Sequence, residues 1–320
     1  MVKKSIALML SVLMLVTIAV FASPAQAAAP QINWPANIEI IVPFAPGGDT
    51  DFNARLIAEE LGNHLPPNFV VVNVTGAGGS IGARQAMESA ADGSRAFVSH
   101  SAFVVNQVIG TVDFGFEAFE MAGIIGMSPG MLLLVRPELG INTLAELFEY
   151  SKANPGKLLY GVETNAVNFA VANLLVEYGL DVTLVDAGPS SERVTMLLGG
   201  HVDMVPIVYG LVQDYIAEGL FVPIGIDGPS DLEVSTGLVQ SFRNQGFDIT
   251  IPFLYFMAFP AGTDPNLVAA VTEVIERIVL TNDEYRAAIA RFFQTPTFYG
   301  PEESLAMFAE VYEILSKVEF

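Results

Sequence analysis

The 320-residue chain has no cysteine, few basic residues and no long apolar run after residue 22. The missing cysteines exclude disulfides, thiolate metal sites, iron–sulfur clusters, a cysteine nucleophile and the acyl anchor of a lipoprotein. Lysine and arginine number 14 against 35 acidic residues, a net charge of −21. That balance argues against nucleic acid or an anionic membrane surface as partner. Only three histidines occur, His64, His100 and His201, and none stands in H-x-x-x-H or H-E-x-x-H spacing. No metal site is therefore expected. What is present is apolar: 52% of the residues are hydrophobic and only 15% charged, which excludes a disordered chain. About two domains with a large buried core are expected for this length.

Lys3 and Lys4 precede an uncharged apolar run from Ser5 to Ala22, and Ala25-Gln26-Ala27 has the small-x-small form of a cleavage site. Together they describe a secretory signal peptide over residues 1–27, with cleavage expected after Ala27. An uncleaved anchor is the alternative, since such a run just reaches across a bilayer; the A-x-A ending favours cleavage. The mature chain keeps 12 basic against 35 acidic residues, a charge of −23. Such an acidic surface keeps a protein soluble and says little about its fold.

Short β-rich runs then alternate with helix-length amphipathic stretches. Strands are read at 38–43, 69–74, 131–136, 158–161, 182–186, 202–208 and 221–226, with helices at 51–64 and 80–90 among them. Thr143 and Glu146 form a capping box, and Asp264-Pro265 starts a long helix. FLYFMAF, 253–259, reads as a strand buried on both faces. This alternation predicts parallel sheets joined by helical crossovers.

Two glycine loops carry the strongest functional signal. VPFAPGGDTD, 42–51, and NVTGAGGSIG, 73–82, each follow a strand and open a helix. Glycine permits close approach by a ligand, and the free N–H groups of the helix start make an anion site without a basic side chain. At neighbouring strand ends the two loops would pinch one carboxylate or phosphate. The blander alternative is a pair of tight turns.

Together with these loops, IEIIVPFAPGGDTDFNARLIAEELG, NVTGAGGSIGA and LLGGHVDM resemble the periplasmic solute receptors of tripartite tricarboxylate transporters, the Bug family. The resemblance spans the mature chain, including LFEYSKANPGKLLYG and PAGTDPNLV. It implies an α/β, two-lobed periplasmic-binding-protein fold of the type II kind, each lobe a mostly parallel sheet flanked by helices. It also implies capture of a small organic acid, delivery to a membrane permease, no chemistry and no cofactor. Carried onto this chain, it places the proximal carboxylate at Phe44, Ala45, Pro46, Gly47, Gly48, Thr50 and Asp51, and at Gly76, Ala77, Gly78 and Gly79. Ser99, His100 and Ser101 join after the third strand. The second lobe contributes Thr164, Asn165, Asn168 and Ser190, and Asp203 is the acid of LLGGHVD. Residues 28–136 with 258–320 are expected to form the first lobe, and 137–257 the second; a monomer is expected.

The chain departs from the family at Val162-Glu163-Thr164-Asn165, where small residues are usual, and at Asp186-Ala187-Gly188-Pro189-Ser190, where an aromatic and a Lys-Gly pair are usual. Glu163 and Asp186 would favour a cationic or hydroxyl group at the ligand's distal end. Asp203 is read as a ligand contact or a lobe-internal anchor.

Enzyme readings fit less well. Gly126-Met127-Ser128-Pro129-Gly130 matches a hydrolase elbow, but Pro129 lacks the N–H that the oxyanion hole needs. Gly76-x-Gly78-x-x-x-Gly82 nears a dinucleotide fingerprint, but its third glycine is one place late and no acid lies at Phe97–Ser101. Arg55 and Arg84 read as solvated helix residues rather than clamps, and Phe103, Phe169, Tyr209 and Tyr255 as core more than cleft. The alternatives to a transport receptor are an orphan sensor docking on a membrane signalling protein and, third, an exported enzyme acting on a small acid.

Overall fold

The computed structural model describes residues 31–320, so the expected signal peptide lies outside the described residues. The first half of the chain gives β1 (Asn37–Val42), α1 (Asp49–His64), β2 (Asn68–Asn73), α2 (Ser80–Met87), β3 (Arg95–His100), α3 (Ala102–Ile109), β4 (Phe119–Ser128), β5 (Leu132–Val135) and α4 (Leu144–Ala153). Then come β6 (Leu159–Val162), α5 (Val167–Glu177), β7 (Thr183–Asp186), α6 (Ser190–Leu198), β8 (Met204–Ile207), α7 (Gln213–Ala217) and β9 (Val222–Ile226). The chain closes with β10 (Leu232–Val234), β11 (Gly237–Val239), β12 (Phe253–Pro260), α8 (Pro265–Thr281), α9 (Asp283–Arg291) and α10 (Pro301–Leu315).

The helices start where their chemistry dictates. Thr143 caps its helix by accepting the Glu146 N–H at 3.1 Å, while the Glu146 carboxylate reaches one residue beyond the cap, to the Asn142 N–H at 2.6 Å. Asp264 caps the Asn266 N–H at 2.9 Å, with Pro265 in the first turn.

Two five-stranded sheets form, in the orders β2-β1-β3-β12-β4 and β7-β6-β8-β5-β9, giving an α/β fold of two lobes. Each sheet is mostly parallel, as expected, with four strands running one way and one strand reversed among them. β1 pairs parallel with β2 and β3, but β12 runs antiparallel to β3 and β4. Likewise β6 pairs parallel with β7 and β8, while β5 runs antiparallel to β8 and β9. β5 and β12 enter from the opposite sheet, so no helical crossover sets their direction. β12 is buried at every position, as its continuous apolar run requires. On it, Phe256 meets Phe97, Phe116 and Phe308 edge-on, with ring centroids 5.7, 5.3 and 5.1 Å away.

The strand partners also move the expected lobe boundaries. Residues 132–135 belong to the second sheet and 253–260 to the first, so the chain crosses at 129–131 and again between β11 and β12, not at 136 and 257. At the first crossing the Asp227 carboxylate accepts the Met131 N–H at 2.6 Å. A Cβ on Gly228 would lie 1.6 Å from the Pro129 carbonyl oxygen, so only glycine fits there. The G-x-S-x-G match falls on this crossing: Ser128 ends a strand and bonds the Gly130 backbone, with no helix behind it. Among the described residues no helix is long and apolar enough to cross a membrane.

Candidate functional site

The loops following β1, β2, β3, β6 and β7 face a cleft between the two sheets, at the carboxyl ends of the parallel strands. The cleft has two chambers. The inner one, of about 30 Å³, is bordered by Gly48, Asp49, His100, Asn168, Ser190 and Arg193 among others. The outer one, of about 430 Å³, is bordered by Gly76, Ala77, Gly78, Thr164, Asn165 and Asp186 among others. Phe44, Ala45, Glu163 and Pro189 border both. A water-sized group needs roughly 10–15 Å³, so the inner chamber matches the two oxygens of one carboxylate.

Three helices begin at the inner chamber: α1 after Gly48, α5 after Ala166 and α6 after Pro189. None of these three N-cap residues has a side chain that accepts a hydrogen bond, so first-turn N–H groups are left for a ligand. Elsewhere Thr143, Asp264 and Asn282 do cap their helices. Three positive dipole ends thus converge on one small space, one from the first lobe and two from the second.

His100 adds a further donor. Its ring lies between those of Phe44 and Phe253, with centroids 4.5 and 4.3 Å away. Nδ1 accepts the Ala102 N–H at 3.1 Å, which assigns the proton to Nε2. Burial pushes the imidazole down to about 4, and the nearby Arg193 charge adds to this against the opposite pull of Asp49. The ring is therefore neutral at physiological pH.

Arg193 is the residue that sequence reasoning missed. It sits in the first turn of α6, only 2% exposed. Nε donates to the Pro206 carbonyl at 3.2 Å, Nη1 to the Gly188 carbonyl at 2.8 Å and Nη2 to the Ser190 hydroxyl at 3.0 Å. Glu163 is a loose partner at 3.5 Å. One Nη2 hydrogen has no partner among the described residues. Asp49 was also overlooked; its carboxylate accepts the Tyr255 hydroxyl at 2.6 Å, and Gln294 in turn donates to that hydroxyl at 3.1 Å.

The second glycine loop works differently from the expectation of ligand contact alone. Gly76, Ala77, Gly78 and Gly79 all have positive φ. A Cβ on Gly78 would stand 2.6 Å from the Asn165 carbonyl oxygen and 2.7 Å from that of Thr164. The loop therefore touches the opposite lobe as well as the outer chamber. Asn106 of α3 ties the seam, donating to the Gly78 carbonyl at 3.0 Å and the Asn165 carbonyl at 2.8 Å.

Of the expected site residues, Phe44, Ala45, Gly48, His100, Asn168 and Ser190 meet at the inner chamber, and Gly76, Ala77, Gly78, Thr164 and Asn165 at the outer. Pro46, Gly47, Thr50, Asp51, Gly79, Ser99, Ser101 and Asp203 border neither. Asp51 braces the first loop instead. It accepts from the Gly47 N–H, Arg55 and Asn73, each at 2.9 Å. Burial alone would raise its carboxyl; these bonds and the Arg55 charge hold it below its ordinary value. Ser101 bridges to β12, donating to the Pro252 carbonyl at 2.6 Å. Gly79 packs on the Phe44 ring, and Ser99 lies in the β3–β12 ladder. Asp203 pairs with Arg136 and accepts the Leu159 N–H at 2.9 Å, joining β8 to β6 away from the cleft. Arg84 pairs with Asp113 at 2.9 Å, also outside it. Among the described residues no cluster of three or more His, Asp or Glu is placed to hold a metal ion.

Comparison with known proteins bears on family and fold. The family described as tripartite tricarboxylate transporter family receptor matches residues 53–310. Protein BugT of Bordetella pertussis is 29% identical over 311 residues, covering 93% of each chain. The structure of the periplasmic binding protein BugD superposes with a TM-score of 0.81 at 21% identity, over 89% of this chain and 97% of that one. MatC from Rhodopseudomonas palustris with bound malate gives 0.78 at 22% identity, over 89% of this chain and 100% of that one. Family match, full-length relative and shared fold agree: the chain belongs to the tripartite tricarboxylate transporter receptor family.

Proposed function

We propose that this protein is a periplasmic receptor that captures a small organic acid between its lobes and hands it to a membrane permease of the tripartite tricarboxylate type. One observation carries the reading: three uncapped helix starts, a buried arginine and a histidine N–H converge on a chamber the size of one carboxylate. Malate in the similarly folded MatC supports the ligand class. The lobes hinge at 129–131 and 240–252, with 31–128 and 253–320 in one and the segment between the hinges in the other. Closure excludes water from the carboxylate and strengthens its bonds to fixed amides. The receptor acts as a monomer and makes or breaks no bond in its ligand.

Thermal unfolding of residues 28–320 with carboxylic acids and their matched amides tests the reading. At 100 times its dissociation constant a ligand adds about 2.7 kcal/mol of stability, enough to raise the Tm by several degrees. An acid is expected to raise the Tm and its amide to leave it unchanged. Equal shifts by acid and amide, or none with any acid, overturn it.

A further inference from the structure

The inner chamber holds more negative charge than an anion receptor needs. Around the single guanidinium of Arg193 stand Asp49 from α1 and Glu163 from the loop after β6, with neutral His100 across from them and Asp186 and Glu192 at the outer chamber. The two inner carboxylates are supported unequally. Asp49 receives the Tyr255 hydroxyl at 2.6 Å and stands in the first turn of α1. Glu163 has only the 3.5 Å approach of Arg193, and its Oε1 has no partner among the described residues. Glu163 also borders both chambers, so any anion that reaches the spare N–H of Arg193 passes beside it.

We propose that the ligand's carboxylate displaces Glu163 from Arg193 and that Glu163 takes up a proton as this happens, so the receptor captures an acid anion and a proton together. The inference rests on the receptor reading and deepens it. With the ligand seated, one guanidinium would face three carboxylates in a space closed to water, where like charges repel strongly. Protonating Glu163 removes one of them and converts it from an acceptor into a donor, whose O–H bonds the incoming carboxylate. Burial already pushes the Glu163 carboxyl above its usual range, with Asp49 and Asp186 adding to the rise and Arg193 offsetting only part of it. The ligand's charge raises it further. Because the bound form then binds the proton more tightly than the free form, affinity is greatest at low pH and falls as pH rises between the two values.

The test is calorimetric titration of residues 28–320 with acetate, malate and adipate, in buffers of different ionisation enthalpy, together with the pH profile of the dissociation constant. The wild-type chain is expected to take up a fraction of a proton per bound carboxylate, largest at the pH where its affinity changes most steeply. Its affinity should weaken by up to about tenfold per pH unit across the linked range. Glu163→Gln keeps the size and supplies a donor without a titrating group; it should bind with no proton uptake and less than about twofold variation with pH. Binding without proton uptake in the wild type, or the same uptake in Glu163→Gln, overturns the proposal and leaves the receptor reading standing. Failure of every carboxylate to bind overturns both.

Discussion

Gly78→Val is expected to weaken ligand binding by about 100-fold, a loss of roughly 2.7 kcal/mol, while both lobes stay folded. Two effects combine. Gly78 has φ of +61°, where a β-branched residue is strained by about 1–2 kcal/mol. Its added Cβ would also lie 2.6 Å from the Asn165 carbonyl oxygen, a backbone atom of the opposite lobe that cannot swing aside. Relief comes most readily by parting the lobes, which breaks both bonds that Asn106 makes across the seam. The loss should therefore appear as a more open molecule by small-angle scattering, with weak binding and a modest fall in Tm. Unchanged affinity in a folded Gly78→Val protein would remove this loop from the closing contact.

Arg193→Met is expected to have the largest effect on stability and to abolish measurable binding. Breaking a buried ion pair by removing one partner costs about 3–5 kcal/mol. Here the substitution also strands the Pro206 and Gly188 carbonyls, which the guanidinium holds at 3.2 and 2.8 Å. The double variant Glu163→Gln with Arg193→Met should recover part of the Tm, because the uncompensated carboxylate is gone, but none of the affinity, because the cation is still missing. Affinity that returns with Tm would make Arg193 a scaffold residue and not a ligand contact. A merely solvated helix arginine would give no change in either.

Most of the fold was legible where the information is local. The helix cap at Thr143 and the Asp264-Pro265 start depend on residues a turn apart, and β12 announced itself as an unbroken apolar run. β4 did not, because Gly123 and Gly126 interrupt its pattern; Gly123 takes φ of +141°, beside the Tyr299 carbonyl. The one reversed strand of each sheet was equally hidden, since β5 and β12 find their partners across the chain. In the site, the glycine loops and helix starts showed in the spacing of Pro, Gly and polar residues. The roles of individual charges did not. Ser190-Ser191-Glu192-Arg193 reads as a wet first turn, and only the distant Pro206 and Glu163 turn Arg193 inward. Asp51 and Arg55 stand four apart on α1, the spacing of an ion pair, so their bracing role was there to be read. Asp203 reads from sequence as a ligand contact or an anchor, and its bonds to Arg136 and Leu159, formed by residues far along the chain, are what the sequence does not show.

The central claim is that the ligand's carboxylate is held by helix starts from both lobes. A crystal structure of residues 28–320 with a bound carboxylate, grown below neutral pH, tests it most directly. The account predicts one carboxylate in the inner chamber, its oxygens within hydrogen-bond distance of first-turn amides of α1 and α6 and of Arg193. A ligand seated only in the outer chamber, or one held by a single lobe with the cleft open, would contradict it.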